Sequence, residues 1–169
     1  MIRADQHVVL VGMTGVGKTT AARVLSVRLG RSMWDTDQVI ESRTGRSVRQ
    51  IFAEDGEPGF RALESEVLRD ALAHPTPLVI AVGGGAVVTE ANRVALRGSR
   101  ARVVWLCADP ATLVERVKGG AHRPLLDQDP SGTLQRMMTE REAWYREVAD
   151  AIVMVDNRSV SEVVEAVLR

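Results

Sequence analysis

Gly12-Met13-Thr14-Gly15-Val16-Gly17-Lys18-Thr19 matches the phosphate-binding pattern G-x-x-x-x-G-K-[ST] at every fixed position. The apolar run 8–11 precedes it and a helical pattern begins at Lys18, which is the strand–loop–helix context of a P-loop. Glycines let backbone N–H groups turn towards phosphate oxygens, and the following helix adds its positive N-terminal dipole. Lys18 is placed for the β- and γ-phosphates of a nucleotide, and the Thr19 hydroxyl for Mg²⁺. A glycine turn that merely precedes a helix is the competing interpretation.

The composition sets limits on the class of protein. The 169 residues suffice for one domain with a sizeable hydrophobic core. Twenty-two acidic residues balance 22 basic ones, which argues against nucleic-acid and membrane-surface partners, because both usually require a basic excess. Cys107 is the only cysteine, so neither an internal disulfide nor a cysteine-based zinc site is possible. It ends an apolar run and is predicted to be a buried, unreactive thiol.

The location and assembly of the protein are also predicted from the composition. We find no signal peptide before the first predicted strand and no apolar run near the ~20 residues that span a bilayer. We therefore expect a cytoplasmic protein, and a monomer in the absence of an apolar excess.

Short β-like runs alternate with helical patterns along the chain. Most of the strand candidates are continuous apolar runs, which is typical of strands that are covered on both faces. The predicted strands are 7–11, 32–34, 78–82, 102–107 and 151–155, and the predicted helices are 18–29, 47–54, 61–73, 90–96, 111–117, 134–148 and 160–168. This alternation predicts an α/β three-layer sandwich, a five-stranded parallel sheet between helices.

Two segments interrupt the alternation. Residues 35–73 are too long for a simple crossover between strands, and we interpret them as an acceptor-binding insertion. Residues 119–132 contain two prolines and three glycines and are interpreted as a lid. Both segments are expected above the carboxyl ends of the strands, where open α/β sheets bind ligands.

Three places could supply a metal-binding carboxylate. Asp109 follows a strand, but Asp109-Pro110 also has the form of a helix N-cap with proline at N1. Asp156 follows the last strand and favours a turn. Asp35 and Asp37 lie two residues apart after the second strand, so an extended backbone would project both carboxylates to one side. One could serve Mg²⁺ and the other a substrate hydroxyl; alternatively the two cap a helix that begins at Gln38.

Further polar groups indicate a second substrate. Arg61 and Glu64 lie three apart on one helical face, so the guanidinium could be fixed to grip a carboxylate, or the two could form a surface ion pair. Gly83-Gly84-Gly85 follows a strand and would let a ligand approach the backbone, unless it is a plain flexible turn. Arg123 lies inside the predicted lid. Arg141 and Tyr145 are four residues apart, which alone would favour a solvated helix face.

Taken together, these segments resemble the shikimate kinase family over essentially the whole chain. The P-loop is followed, in the family's order, by Asp35-Thr36-Asp37, Phe60-Arg61-Ala62-Leu63-Glu64, Gly83-Gly84-Gly85, Arg123-Pro124-Leu125-Leu126 and Arg141-Glu142-Ala143-Trp144-Tyr145. The set is far more specific than any one of its members. The resemblance implies a nucleoside-monophosphate-kinase-like fold, ATP as co-substrate, Mg²⁺, and shikimate as the acceptor.

The resemblance also implies a role for each site residue. Asp37 would hold shikimate hydroxyls and be the candidate base, Arg61 and Arg141 would clamp the carboxylate, and Glu64 would orient Arg61. Lys18, Asp37 and Arg123 would be catalytic, and Thr19 and Asp35 would lie at the metal. The nucleotide would contact Gly12, Thr14, Gly15, Val16, Gly17, Lys18, Thr19, Thr20, Arg116, Arg123 and Arg158, and shikimate would contact Asp37, Phe52, Phe60, Arg61, Glu64, Gly83, Gly84, Gly85, Pro124 and Arg141.

The chain departs from the family pattern before its last helix. The family often has an Asn-Arg-x-x-Pro-like stretch there, whereas Asp156-Asn157-Arg158-Ser159-Val160 is short and lacks the proline. Two rival functions are another small-molecule kinase of this fold, such as a gluconate or nucleoside-monophosphate kinase, and a nucleotide-dependent switch without a second substrate. The low aromatic content, 4%, offers little for recognising a second base, and the acceptor motifs argue against a switch.

Overall fold

The computed structural model describes residues 1–118, 126 and 128–169. Five strands alternate with seven helices in this part of the chain. In chain order they are β1 (Val8–Val11), α1 (Lys18–Leu29), β2 (Ser32–Asp35), α2 (Thr36–Thr44), α3 (Val48–Leu72), β3 (Leu78–Ala81), α4 (Glu90–Gly98), β4 (Arg102–Cys107), α5 (Pro110–Val117), α6 (Pro130–Val148), β5 (Ala151–Met154) and α7 (Val160–Leu168), with a 3₁₀ turn at Ala86–Val88.

The sheet is parallel throughout, with the strand order β2-β3-β1-β4-β5. β1 is central, and its Val9 lies opposite Ile80 of β3 and Val103 of β4. Every residue of β1 and β3 is buried, as expected of strands with helices on both faces. The predicted five-stranded parallel sheet is confirmed, and the strand ends differ from the prediction by no more than one residue.

The first-turn glycine Gly12 brings the chain out of β1 with a φ of 144°, and a side chain there would collide with the carbonyl oxygen of Leu106 in β4. Only glycine fits this position, because the backbone conformation and the close approach both exclude a Cβ. The chain then turns around residues 13–17 and enters α1, so the P-loop lies at the carboxyl end of the central strand.

The segment between β2 and β3 is more helical than predicted. α2, whose first residue is Thr36, was foreseen only as the alternative in which the aspartates cap a helix at Gln38. The predicted helices 47–54 and 61–73 form one element, α3, broken at Gly56, which has a φ of 70° and precedes Pro58. α2 and α3 enclose their own small core cluster of Ile40, Val48, Ile51, Phe60 and Val67.

An aspartate occupies the N-cap position of each helix that borders the predicted lid. Asp109 occupies the N-cap position of α5 with Pro110 in the first turn, as predicted, but its carboxylate makes no capping hydrogen bond. Asp129 accepts a hydrogen bond from the Gly132 N–H and starts α6 at Pro130, so the last residues of the segment 119–132 are helical. Residues 119–125 and 127 lie outside the described residues. No helix in the described part of the chain has both the length and the apolar character needed to traverse a bilayer.

Candidate active site

Lys18 lies inside the P-loop with its ammonium group turned back on the loop. Its Nζ donates to the carbonyl oxygens of Gly12, at 2.7 Å, and Met13, at 2.9 Å. These bonds hold the positive charge at the wall of a cavity of about 330 Å³, which we call the phosphate cavity. The cavity is lined by Thr14, Gly15, Gly17, Lys18, Thr19, Thr20, Asp35, Asp37, Ala81, Val82, Gly83, Gly84 and Arg116.

Asp35 joins the P-loop helix to the start of α2. Its Oδ2 accepts a hydrogen bond of 2.6 Å from the Thr19 hydroxyl, while its Oδ1 accepts from the N–H groups of Asp37 and Gln38. Asp35 therefore caps α2 with one oxygen, and its other oxygen lies beside Thr19, so the helix-cap interpretation leaves the metal-site interpretation open. Its second oxygen stays beside Thr19 because the first one caps α2.

The donor set beside Lys18 suits Mg²⁺ bound together with a nucleotide. Among the described residues no group of three or more His, Cys, Asp or Glu side chains forms a complete protein site for a metal. Mg²⁺ needs no such site, since in nucleotide enzymes one or two protein oxygens, substrate phosphates and water usually complete its shell. The Thr19 hydroxyl and the Asp35 carboxylate would provide those two oxygens.

Asp37 and Glu64 face each other below the glycine loop, by which we mean Gly83, Gly84 and Gly85. A Cβ on Gly83 would lie 2.7 Å from Glu64 Oε2 and 3.0 Å from Asp37 Oδ1, so both carboxyls occupy the room that glycine leaves. Burial, followed by the charge of Asp35, raises the pKa of Asp37 to about 6. Burial also raises the pKa of Glu64 to about 7, against the opposing charge of Arg61.

Arg61 and Glu64 form the ion pair that their spacing predicts, and it is not a surface pair. The Nη1–Oε1 distance is 2.8 Å, and the side chains are 13% and 1% exposed. Glu57 holds the opposite side of the guanidinium at 3.1 Å. Arg141 is also buried, so the alternative of a solvated helix face is wrong for α6 at this position. The two arginines come from α3 and α6 and meet in one cavity.

This second cavity, which we call the acceptor cavity, contains buried polar atoms that lack a partner. In the described part of the chain, Asp37 Oδ1, Glu64 Oε2 and Arg141 Nε are buried without a hydrogen bond. Buried polar groups are nearly always paired in native proteins, so these three atoms indicate a polar ligand. The cavity is lined by Thr14, Asp37, Val48, Phe52, Phe60, Arg61, Glu64, Gly83, Gly84, Gly85, Leu126, Met137 and Arg141.

The acceptor and phosphate cavities share a wall. Thr14, Asp37, Gly83 and Gly84 line both of them. Gly84 makes this possible, because a Cβ there would lie 2.9 Å from the backbone nitrogen of Thr14. The glycine loop therefore packs directly on the P-loop, and an acceptor and a phosphate donor would meet across it.

The glycine loop is held by residues to which sequence reasoning gave no role. The Gly83 N–H donates to the Thr36 hydroxyl at 3.0 Å, and the Tyr145 hydroxyl donates to the Gly84 carbonyl oxygen. The loop is thus fixed, and the alternative of a plain flexible turn is wrong. The available signal in the sequence was the position of Thr36 between the two predicted aspartates. In the structure Thr36 is fully buried. Val48, Leu126 and Met137 are further lining residues that the sequence analysis did not identify.

A third cavity, the base cavity, adjoins the P-loop on its other side. It contains both arginines predicted near the adenine, Arg116 and Arg158, together with Val155, Val160 and Val163. Arg116 Nη1 donates to the Val16 carbonyl oxygen at 3.0 Å, which fixes it over the loop. Val160, in the stretch that lacks the proline of the family pattern, also lines this cavity.

The remaining predicted groups lie elsewhere or outside the description. Asp156 accepts hydrogen bonds from the Asp109 N–H and the Thr112 hydroxyl, so it stabilises the turn between β4 and α5. Cys107 is only half-buried, and burial raises the pKa of its thiol, in keeping with an unreactive group. Arg123 and Pro124 lie outside the described residues, and so do their predicted contacts.

Comparison with known proteins agrees with this geometry. A family model described as shikimate kinase matches residues 14–169. A shikimate kinase of Symbiobacterium thermophilum is 45% identical over 96% of this chain and 94% of its own length, and one of Streptomyces coelicolor is 42% identical over 95% and 92%. The structure of an Acinetobacter baumannii shikimate kinase in complex with shikimate covers 96% of this chain and 90% of its own, with a TM-score of 0.93 and 35% identity.

More distant structures share the fold alone. A gluconokinase of Sinorhizobium meliloti superposes with a TM-score of 0.56 at 17% identity. That structure also covers 99% of this chain and 91% of its own, so the shikimate kinases differ from it in their higher sequence identity and, for the Acinetobacter baumannii structure, in the TM-score of 0.93. The predicted family is confirmed: the chain belongs to the shikimate kinase family.

Proposed function

We propose that this chain transfers the γ-phosphoryl group of ATP to a hydroxyl of shikimate in the cavities described above. The reaction gives shikimate 3-phosphate, on the route to chorismate and the aromatic amino acids. The observation that carries the proposal is the acceptor cavity itself. Arg61, Arg141, Asp37 and Glu64 line a space that adjoins the P-loop at Gly84. Among the described residues, three buried polar atoms of this set, on Asp37, Glu64 and Arg141, have no hydrogen-bond partner.

The acceptor side fits an acid that also bears hydroxyl groups. Arg61 and Arg141 provide guanidinium groups from two helices, and such groups bind carboxylates through paired N–H bonds. Asp37 projects an unpaired Oδ1 into the same space and accepts a hydrogen bond from an acceptor hydroxyl. Glu64 and Glu57 hold the Arg61 guanidinium at 2.8 and 3.1 Å, which limits its rotation before the substrate arrives.

The chemistry requires alignment and charge. Phosphoryl transfer asks a protein mainly to place donor and acceptor in line and to stabilise negative charge that spreads over the phosphoryl oxygens. Lys18 provides a positive charge at the phosphate cavity. Asp37 lines both cavities and is therefore placed to take the proton of the attacking hydroxyl. Mg²⁺, held by Thr19 and Asp35, would neutralise charge on the phosphates.

The acceptor is tested by measuring ADP release with shikimate, gluconate, AMP and CMP at equal concentration. We expect turnover with shikimate and none with the other three compounds. Equal or faster turnover with gluconate or a nucleotide would contradict the proposal. Titration calorimetry with shikimate in the absence of nucleotide separates the enzyme from a nucleotide switch, because a switch without a second substrate gives no heat.

Replacing Arg61 by lysine tests the carboxylate clamp. Lysine keeps the charge but cannot offer two parallel N–H donors, and a lost charged hydrogen bond costs about 1.5–3 kcal/mol. We therefore expect kcat/KM for shikimate to fall roughly 10- to 100-fold, with the KM for ATP within about twofold. Arg46→Lys is the matched control, since Arg46 pairs with Glu54 and Asp55 on the surface. Equal shikimate kinetics in the two variants would show that Arg61 does not contact the acceptor.

Replacing Asp35 by asparagine tests the proposed metal group. Asparagine caps helices as well as aspartate does, so the start of α2 and the thermal midpoint are expected to be preserved. The charge beside Thr19 is lost, and we expect the Mg²⁺ concentration for half-maximal activity to rise about tenfold or more. Calorimetric titration of ADP with and without Mg²⁺ provides a readout besides turnover. An unchanged Mg²⁺ dependence of ADP binding would remove Asp35 from the metal site.

Other expectations from the sequence remain proposals. Arg123 is proposed to reach the transferring phosphoryl group from a lid over residues 119–132, and Pro124 to line the acceptor cavity. Arg116 and Arg158 are proposed to contact the adenine. Residues 1–169 are proposed to form one domain, with residues 35–73 as its acceptor-binding part. We further propose a cytoplasmic monomer with no nucleic-acid or membrane partner.

A further inference from the structure

Tyr145, on α6, contacts the wall that the phosphate and acceptor cavities share. Its side chain is fully buried, and its hydroxyl donates to the carbonyl oxygen of Gly84, the residue that packs on the P-loop. The same hydroxyl lies 3.6 Å from the sulfur of Met13, inside the P-loop. One phenol group thus contacts both loops that form the wall between the cavities.

Tyr145 is also tied to the acceptor side. Arg141 precedes it by one helical turn on α6. Residues four apart on a helix lie on the same face, so Arg141 and Tyr145 share one face of α6. Burial raises the pKa of Tyr145 to about 12, against the opposing charge and hydrogen bond of Arg141. The hydroxyl stays protonated at neutral pH and remains a donor to Gly84. Its ring stacks on Trp105 of β4, with centroids 5.7 Å apart, which fixes the ring plane.

We infer that Tyr145 is a positioning residue for phosphoryl transfer: its hydroxyl fixes the Gly84 carbonyl against the P-loop and so sets the distance between acceptor and donor. The inference rests on the proposed function, since it assigns to Tyr145 the alignment that the reaction needs. Arg141, Tyr145, Gly84 and Met13 form a continuous path of contacts from the carboxylate clamp to the phosphate loop. Binding of a carboxylate at Arg141 would fix the position of α6, and through Tyr145 it would therefore also affect the position of Gly84.

Glycine at position 84 explains why such a residue is needed. The close packing on Thr14 leaves no space for a side chain that could lock the loop from within, and glycine has the greatest backbone freedom of any residue. The loop is therefore restrained from outside, by Thr36 at Gly83 and by Tyr145 at Gly84. Small displacements of reacting groups have large effects on rate, because alignment contributes much of the acceleration.

The test is Tyr145→Phe, which removes one oxygen atom from a fully buried ring. We expect kcat to fall roughly tenfold or more, the effect of one unmade buried hydrogen bond on a step that depends on alignment. The KM for ATP should change less than twofold. ADP should also strengthen shikimate binding less in the variant than in the parent, because the path between the cavities is interrupted.

Val148→Ala is the matched control. Val148 is buried on α6, three residues beyond Tyr145, so its truncation weakens the packing of the same helix without removing a bond to the glycine loop. We expect a lower thermal midpoint and an unchanged kcat. If Tyr145→Phe behaves like Val148→Ala, with a lower midpoint and the parent's kcat, Tyr145 is structural only and the inference is overturned.

A measurement without turnover separates this inference from the proposed function. Amide hydrogen exchange of residues 83–86 in the ligand-free protein should be faster in Tyr145→Phe than in the parent and in Val148→Ala. Unchanged exchange would overturn the restraint on the loop. If the parent failed to phosphorylate shikimate but the exchange difference were present, the proposed function would fail while the restraint by Tyr145 would stand.

Discussion

Replacing Lys18 by methionine is expected to lower kcat about 1,000-fold or more while shikimate binding stays within a few-fold. Methionine retains most of the length and the apolar stem of lysine but has no charge to stabilise the transferring phosphoryl group. The loss falls on kcat because the contact strengthens as negative charge develops in the transition state. Steady-state kinetics with ATP and shikimate, together with shikimate titration in the absence of nucleotide, measure the two quantities.

The chain provides its own control for this substitution. Lys118 is the only other lysine, and it forms an exposed pair with Glu115. Lys118→Met is expected to leave kcat within about twofold, since exposed pairs contribute little. Retention of a tenth or more of the parent kcat by Lys18→Met would reject the assignment of Lys18 to the phosphates. A large fall in its thermal midpoint would instead show that the bonds to the Gly12 and Met13 carbonyls hold the loop.

Replacing Asp37 by asparagine is expected to lower kcat roughly 100- to 10,000-fold, the range for the loss of a positioned general base. Stability is expected to change in the opposite direction. The folded-state pKa is raised to about 6 from 3.8, so ionisation of this carboxyl destabilises the fold, and stability is lost as the pH rises from the lower value through the higher one. At pH 7.5 a neutral amide removes that cost, and we expect the thermal midpoint to rise by a few degrees.

Opposite changes in activity and stability are the signature that distinguishes a functional carboxylate from a structural one. Kinetics at saturating shikimate and a thermal unfolding scan at pH 7.5 measure the two. Glu41→Gln, on the same helix, is the control: Glu41 accepts a hydrogen bond from the Val48 N–H, which glutamine can also accept. A lower midpoint with near-normal kcat in Asp37→Asn would make Asp37 a structural group of α2.

The sheet could be predicted because its signals are local. β1 and β3 are buried on both faces, so their continuous apolar runs admit few other interpretations. α2 was not predicted as an element because Ile40 and Thr36 are its only fully buried residues. A helix with so few buried residues shows only a weak periodicity of apolar residues in the sequence. The break in α3 at Gly56 was foreseen as a gap between two helices, whereas the structure has a kink at one non-helical residue.

The residues of the candidate site also fall into two groups, those that local sequence patterns predict and those whose role depends on distant partners. Lys18, Thr19 and Arg61 with Glu64 could be predicted because each belongs to a short pattern whose geometry the local helix or loop determines. The roles of Thr36 and Tyr145 depend on distant partners, since Thr36 bonds to a residue 47 positions away and Tyr145 to one 61 positions away. Spacing along the chain contains no information on such pairs. The cap and the metal-site group at Asp35 were treated as alternatives because a sequence does not show that two oxygens of one carboxylate face different partners.

The wall that the phosphate and acceptor cavities share has a consequence for inhibitor design. Thr14, Asp37, Gly83 and Gly84 border both spaces, so the two cavities adjoin and one molecule could occupy both. A cyclic carboxylic acid joined by a short linker to a polyphosphate would engage Arg61 and Arg141 at one end and the P-loop at the other. Because the second end then binds as part of the same molecule, its affinity adds to that of the first with little further loss of translational freedom. The linker must be short and unbranched beside Gly84, since even a Cβ on that residue would lie 2.9 Å from the backbone nitrogen of Thr14.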